Sequence, residues 1–127
     1  MRIIAFRYER GVLMAEFSFV VPILPGKTEA WRKAIADIKG ARWDEYKRSR
    51  KVLGIKREQA CLQHTPGGDM VVVHIEAKDP AAVLPAMLAG VTQFDAWFLD
   101  TVLRGVHGMD PKGPPLPAPE IVLDFKG

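Results

Sequence analysis

The chain has 127 residues, 48% of them hydrophobic and 26% charged, a composition that is typical of one folded domain and excludes a disordered chain. No apolar run approaches the ~20 residues of a transmembrane helix, and we expect no secretion signal and no membrane partner. The single cysteine cannot form a disulfide within the chain, which favours the reducing cytoplasm.

Charge is unevenly distributed along the chain. Three arginines and one glutamate give residues 1–13 a net charge of +2, out of +3 for the whole chain. We predict that residues 1–13 are a flexible extension or a misassigned start, since Met14 precedes the first regular pattern, and that residues 14–127 form a single domain. The basic run "KRSRK" at 47–51 is predicted to be a solvated helix face, with a nucleic-acid patch as the less favoured alternative.

The first two predicted elements are a strand and a helix. In "EFSFVVPI" one face is entirely apolar, which is the period-2 pattern of a strand: Phe17, Phe19, Val21 and Ile23. A helix then begins at Lys27 or Thr28, and Gly40 interrupts its apolar pattern. The helical spacing resumes in four residues: Trp43, Tyr46, Arg50 and Leu53. It ends at Gly54, a C-terminal cap, so we expect a long or kinked helix.

The stretch "CLQHTPGGDMVVVH" predicts a β-hairpin, because "TPGG" supplies turn geometry between two strand patterns. A four-residue loop from Thr65 to Gly68 pairs the apolar residues of one face, Leu62 with Val71 and Ala60 with Val73. A one-residue slip would exchange the two faces of each strand, so burial selects this register. Its one mismatch is Glu58, which falls opposite Ile75.

The same register argues against a metal site in the hairpin. Cys61 and His64 are an odd number of residues apart on one strand, so they project to opposite faces. Cys61 and His74 share a face, but a zinc site needs three or four ligands, and a third would have to come from Glu16 or Asp124. We therefore predict no metal.

The second half of the chain is predicted to contain two helical segments and a proline-rich loop. Asp79 as N-cap and Pro80 begin the first helix, which Pro85 should kink or divide. Thr92 and Asp95 form a capping-box-like start for the second helix. Five prolines between positions 111 and 119 require an extended, non-helical loop.

The chain closes with "EIVLDFK", which alternates as a strand with three apolar residues on one face: Ile121, Leu123 and Phe125. The element order βαββαβ predicts an α+β, ferredoxin-like fold, in which a four-stranded antiparallel sheet of order 4-1-3-2 carries both helices on one face. The open face would then expose Val20, Met70, Val72 and Val122. Such a face is too apolar to remain in contact with water, so we expect a partner to cover it.

Four stretches resemble the dimeric α+β barrel superfamily: "PGKTEAW", "SRKVLGI", "TPGGDMVVVHIEA" and "FDAWFLDTVLRGVHGMD". The resemblance covers about residues 15–126, and within the superfamily the chain is most similar to a family of short, uncharacterised bacterial proteins. It implies a homodimer in which two ferredoxin-like protomers pair through their open sheet faces. The superfamily includes cofactor-free monooxygenases, muconolactone isomerases, stress-responsive proteins and haem-binding members, so the resemblance does not fix an activity.

A ligand site is predicted between the helices and the sheet. Aromatic side chains would line an apolar cavity, and His107 and Tyr46 would orient a ligand or exchange a proton. The predicted ligand-binding residues are Trp97, His107, Tyr46, Trp43 and Phe94, and His107 is a weak candidate for a catalytic residue. In the alternative interpretation the aromatic side chains are core residues and His107 caps the C-terminus of a helix.

Two functions are expected as alternatives. The first is a homodimer that binds or converts a small, partly aromatic molecule without a cofactor; an enzyme of this kind would be monooxygenase-like or isomerase-like. The second is a non-catalytic stress-response or interaction protein with a filled core, and a ligand-sized cavity beside His107 would separate the two.

Other functions are disfavoured by the sequence. RNA binding is rejected because the predicted third strand, "MVVVHIEA", has no aromatic residue on which bases could stack. Haem binding would require His107 as the axial ligand in a large cavity. The sequence also lacks the standard motifs of hydrolases, nucleotide-binding proteins and redox proteins.

Overall fold

Strands from both halves of the chain form one antiparallel sheet in the computed structural model, which describes residues 5–9, 12–114 and 119–127, with side chains from residue 15 onward. The long strands are β2 (Val12–Pro22), β3 (Ile55–Thr65) and β4 (Gly68–Ala77), with β4 between the other two. A short strand, β1 (Ala5–Glu9), pairs with the outer edge of β2. The predicted α+β class is confirmed.

The ends of the chain differ from the predicted βαββαβ arrangement. Residues 119–127 form no strand, and Leu123, predicted to face the helices, is 85% exposed. The edge of β2 that was expected to pair with this last strand pairs with β1 instead. An alternating pattern indicates which side chains share a face, but it does not indicate which strand edge is free. The predicted C-terminal strand is therefore wrong for the described residues.

The predicted extension falls partly on described residues. Ala5–Glu9 and the first residues of β2 are paired in the sheet rather than separate from it. Residues 1–4, 10 and 11 lie outside the described part of the chain. A natural start at Met14 stays a prediction.

Four α-helices and one π-helical segment accompany the sheet: α1 (Thr28–Lys39), α2 (Trp43–Val52), α3 (Pro80–Ala89), α4 (Gln93–Phe98) and the π segment Leu99–Arg104. Gly40 separates α1 from α2, so the expected long helix is two helices. Gly54 follows α2 with φ at +73°, the left-handed conformation that a helix-terminating glycine adopts without strain.

The predicted start signals of the later helices are also found. Pro80 is the first residue of α3, which continues through Pro85 without division; Asp79 stands at the N-cap position, but its side chain makes no capping hydrogen bond. The N-cap of α4 is Thr92, whose Oγ1 accepts a hydrogen bond from the Asp95 backbone N–H at 3.0 Å. Replacing such a cap with alanine costs about 0.5–2 kcal/mol in other helices. We expect a loss of this size in the free energy of unfolding of Thr92→Ala, measured by urea denaturation.

The hairpin of β3 and β4 has the predicted register. Leu62 pairs with Val71 and Ala60 with Val73, and Thr65 pairs with Gly68 at the turn. No register shift interrupts the pairing from residue 57 to residue 65, so Cys61 and His64 project to opposite faces, as predicted.

The core lies between the helices and one face of the sheet. Phe17 of β2 and Ile75 of β4 are paired across the two strands and are completely buried, and Val83 of α3 and Val106 lie over them in the same core cluster. The opposite side of the sheet, which we call the open face, is more exposed to solvent. Val20 on this face is 49% exposed. Among the described residues no single helix is long and apolar enough to span a membrane. Only when α3 and the helical stretch 93–104 are taken together, with a bend of 79° between them, do the described residues reach the length and hydrophobic composition of a membrane span.

Candidate functional site

A cavity of about 320 Å³ lies between the sheet and the helices. Apolar side chains from every layer form most of its wall, among them Phe19, Val71, Trp31, Ile38, Met87 and Leu103. Small-molecule sites in proteins usually enclose about 300–1,000 Å³ and are lined in the same way, by apolar groups with a few polar ones. The cavity therefore has the size and lining of a site for a small ligand.

Three polar side chains, which we call the polar wall, interrupt the apolar lining beside α2: Tyr46, Arg50 and Glu58. The Tyr46 hydroxyl donates to Glu58 Oε1 at 2.5 Å, and Arg50 Nε donates to the same oxygen at 2.9 Å. Arg50 Nη2 donates to Glu58 Oε2 at 3.3 Å. A carboxylate held by both arms of a guanidinium is fixed in position as well as charge-balanced.

A second network of hydrogen bonds holds Arg50 through its Nη1 atom. Arg50 Nη1 donates to Ser49 Oγ at 3.2 Å, and Ser49 Oγ donates to Asp95 Oδ1 at 2.7 Å. Thr92 Oγ1 donates to Asp95 Oδ2 at 2.7 Å. The Arg50 guanidinium also stacks over the Phe98 ring at 4.9 Å. Among the described residues no buried side-chain nitrogen or oxygen lacks a hydrogen-bond partner, so this buried network is satisfied and rigid.

Tyr46 and Arg50 of the polar wall keep fixed protonation states near neutral pH. Burial, followed by the charge and the hydrogen bond of Glu58, raises the pKa of Tyr46 well above its ordinary value. Burial opposes the charge on Arg50, but the Glu58 carboxylate outweighs it and the pKa of Arg50 is raised. Tyr46 is therefore a neutral hydrogen-bond donor, and the predicted role of Tyr46 in proton exchange is not supported.

His107 lines the cavity away from the polar wall. Its Nδ1 lies 2.8 Å from the backbone oxygen of Pro22. A carbonyl can only accept, so Nδ1 carries a proton, and burial lowers the pKa of His107 despite this bond. The ring is therefore neutral at pH 7, and Nε2 is an acceptor that is accessible rather than fully buried, since every fully buried side-chain nitrogen of the described residues has a partner. The predicted helix cap is wrong, because the side chain bonds to the end of β2 and carries no charge.

Three of the five predicted ligand-binding residues line the cavity: Trp43, Tyr46 and His107. Phe94 and Trp97 do not, because these two side chains of α4 pack toward α2, whereas Phe98 of the same helix lines the cavity. The Phe94 ring lies 5.8 Å from that of Tyr46 and 5.6 Å from that of Trp97. Arg42 stacks over Trp97 at 4.1 Å. Phe94 is 2% exposed and is therefore a core residue, as the alternative interpretation expected.

The sequence alone did not predict that the three residues of the polar wall lie together. Two signals pointed to it: Arg50 stood at an apolar position of the helical spacing, and Glu58 was the mismatch opposite Ile75 in the hairpin. Each anomaly explains the other, since the two side chains form a salt bridge between α2 and β3. A buried cation on one element implies a carboxylate on another.

A smaller cluster lies on the open face. Glu16, His74 and Glu76 offer ligand atoms that all lie within 4.8 Å of one another. Ser18 Oγ is 3.0 Å from His74 Nδ1, while His74 Nε2 is 3.8 Å from Glu76 Oε1. Glu16 was named in the sequence analysis as a possible third ligand beside Cys61 and His74. One imidazole and two carboxylates suit a divalent transition metal, but Arg57 Nη1 lies 4.0 Å from Glu76 and already places a positive charge there.

Comparisons with protein-family models, with curated proteins and with solved structures find no match to this chain.

Proposed function

We propose that the chain is a homodimer that binds a small, largely apolar and partly aromatic molecule in the cavity beside His107. The observation that carries this proposal is the cavity of about 320 Å³, apolar on most sides, with one histidine and the polar wall at its edges. A filled core would favour the alternative, a non-catalytic stress-response or interaction protein. A ligand-sized space beside His107 supports binding instead.

The hydrogen-bonding groups that line the cavity support a ligand that donates one hydrogen bond. His107 Nε2 is a neutral acceptor, whereas the oxygens of Glu58 are already engaged by Arg50 and Tyr46. A polar contact is stronger in a site from which apolar walls exclude water. An aromatic body with a hydroxyl or N–H group fits this arrangement. For a reaction on such a ligand, His107 is the group placed to accept its proton.

The proposed homodimer uses the open face and follows the ferredoxin-like pairing that the sequence resemblance implies. Val20 pairs with Val72 and Pro22 with Met70 across β2 and β4, so apolar side chains adjoin there. The C-terminal segment adds apolar residues that are 46–86% exposed: Ile121, Val122, Leu123 and Phe125. A second copy would remove both groups from water.

Binding of 2-naphthol and of naphthalene tests the cavity proposal. The two probes differ by one hydroxyl, and both should bind to the wild-type protein, 2-naphthol more tightly. In His107→Ala the advantage of 2-naphthol should disappear, a loss of about 1 kcal/mol or about fivefold in affinity for one hydrogen bond. Calorimetric titration of both probes measures the difference.

His64→Ala is the matched control, because His64 is an exposed histidine that bonds to Asp69 outside the cavity. It should leave both affinities unchanged. Failure of both probes to bind to the wild-type protein would contradict the proposal, and so would equal losses for the two probes in His107→Ala.

The pH dependence of 2-naphthol binding follows from the state of His107. The pKa of His107 is lowered by burial, so Nε2 is unprotonated at and above about pH 6.5, the ordinary histidine value. Affinity should be constant above that pH and fall only at lower pH, where Nε2 gains a proton. His107→Ala should remove the dependence. An affinity that falls between pH 7 and pH 8, below the ionisation of the probe, would contradict this assignment.

A further inference from the structure

A second concave site lies on the other side of the polar wall. It is a cleft of about 430 Å³ between the end of α2, the start of β3 and the residue after β4, and it shares Tyr46, Arg50 and Glu58 with the apolar cavity. Its remaining side chains are mainly basic: Lys47, Lys51, Lys56, Arg57 and Lys78. We call it the basic cleft. Among the described residues that line it, Glu58 is the only acidic one, and Arg50 neutralises that carboxylate.

The local backbone directs these cations into one place. Lys56 and Arg57 both contribute to the lining of the cleft, and the Arg57 guanidinium extends to Glu76 on the open face. The pairing of β3 with β4 shifts between Ile55 and Arg57, so Lys56 is an extra residue in the ladder. Such a bulge re-aims side chains and is frequent beside binding sites. Gly54 is in the left-handed conformation, and its carbonyl oxygen accepts a hydrogen bond from the backbone N–H of Lys78 at 3.1 Å. This bond places Lys78 beside the end of α2 and the start of β3.

Three of the six cations that line the cleft are not neutralised by a carboxylate of the described residues. Lys47 lies 3.4 Å from Asp44, and Arg57 lies 4.0 Å from Glu76. Lys51, Lys56 and Lys78 form no ion pair with any described residue. Neighbouring ammonium groups repel one another, and a bound anion would relieve that repulsion.

We propose that the basic cleft binds a small molecule carrying two or more phosphate groups. Lysine ammonium groups bind phosphate oxygens as point charges, and the cleft has the volume of a small-ligand site. The charges come from the ends of three elements that meet at one concave corner. A nucleic-acid backbone would instead require an extended basic stripe. This site does not depend on ligand binding in the apolar cavity, so either proposal can fail alone.

Titration with inorganic pyrophosphate and with phosphate, followed by calorimetry and by amide chemical shifts, tests the basic cleft. Pyrophosphate should bind at least about tenfold more tightly than phosphate, because its charges reach more than one lysine. Raising sodium chloride from about 50 to about 300 mM should weaken pyrophosphate binding several-fold. The shifts should be largest at Gly54, Lys56 and Lys78. Lys56→Gln/Lys78→Gln should reduce the pyrophosphate affinity about tenfold or more.

Lys27→Gln/Lys112→Gln is the matched control, since it removes the same charge from two exposed lysines outside the cleft. It should change the affinity less than about twofold. The proposal is overturned if pyrophosphate does not bind at millimolar concentration or if the control loses as much affinity as the cleft variant. Binding of a single-stranded oligonucleotide or of anionic vesicles at the cleft, without binding of pyrophosphate, would also overturn it.

Discussion

Replacing Arg50 with methionine is expected to lower the free energy of unfolding by about 3–5 kcal/mol, because it leaves two largely buried carboxylates, those of Glu58 and Asp95, without their cation. Glu58 would keep the hydrogen bond from Tyr46 but lose both donors of the guanidinium. The aromatic rings that surround Arg50 would pack on methionine, so the loss would come from charge rather than from volume. Urea denaturation at one fixed protein concentration measures the change.

A double variant separates the lost charge balance from the lost contacts. Arg50→Met/Glu58→Gln removes one of the two unpaired carboxylates, leaves Asp95 in place and retains an acceptor for Tyr46, so it should recover about half of the loss. Lys33→Met is the control, because Lys33 forms an exposed ion pair with Asp37, and such pairs contribute about 0–1 kcal/mol. An Arg50→Met variant as stable as Lys33→Met would show that the polar wall does not hold the fold.

The second large effect is expected at the open face. Val72→Glu places a carboxylate at the centre of the proposed dimer interface, opposite Val20 and Cys61. A stable interface buries at least about 1,000 Å² in total, and a charge left without a partner inside it costs several kcal/mol. The dissociation constant of the dimer should therefore rise by about 100-fold or more. Sedimentation equilibrium from nanomolar to micromolar concentration measures it.

Val91→Glu is the matched control, since Val91 is 85% exposed and lies on a loop between α3 and α4. It should leave the assembly unchanged. Cys61 gives an independent readout: it is exposed in the protomer, so a thiol reagent should label it faster in Val72→Glu than in the wild-type dimer. A wild-type protein that is monomeric at micromolar concentration would refute the proposed dimer.

Features that depend on neighbouring residues could be predicted from the sequence. The register of the hairpin followed from burial, because only one pairing places Leu62 opposite Val71. The starts of two helices followed from Pro80 and Thr92, whose ring or side chain favours a helix N-terminus. In each case the physical cause lies within a few residues of its effect.

Features that depend on distant partners could not be predicted in the same way. The segment at 120–126 has a good strand pattern, but a strand also needs a free edge, and β1 pairs with the expected one. The buried position of Arg50 depends on Glu58, which belongs to another element. His107 bonds to the carbonyl of Pro22, 85 residues away in sequence, and no local pattern distinguishes that bond from a helix cap.

The proposed ligand site can be tested most directly with a crystal of the protein soaked in 6-bromo-2-naphthol. Anomalous scattering from the bromine locates the ring. We expect a bromine peak inside the cavity between α1 and the sheet, with the probe hydroxyl about 2.6–3.2 Å from His107 Nε2. A fully soaked crystal in which the probe lies only on the surface, and side chains close the space beside His107, would contradict it.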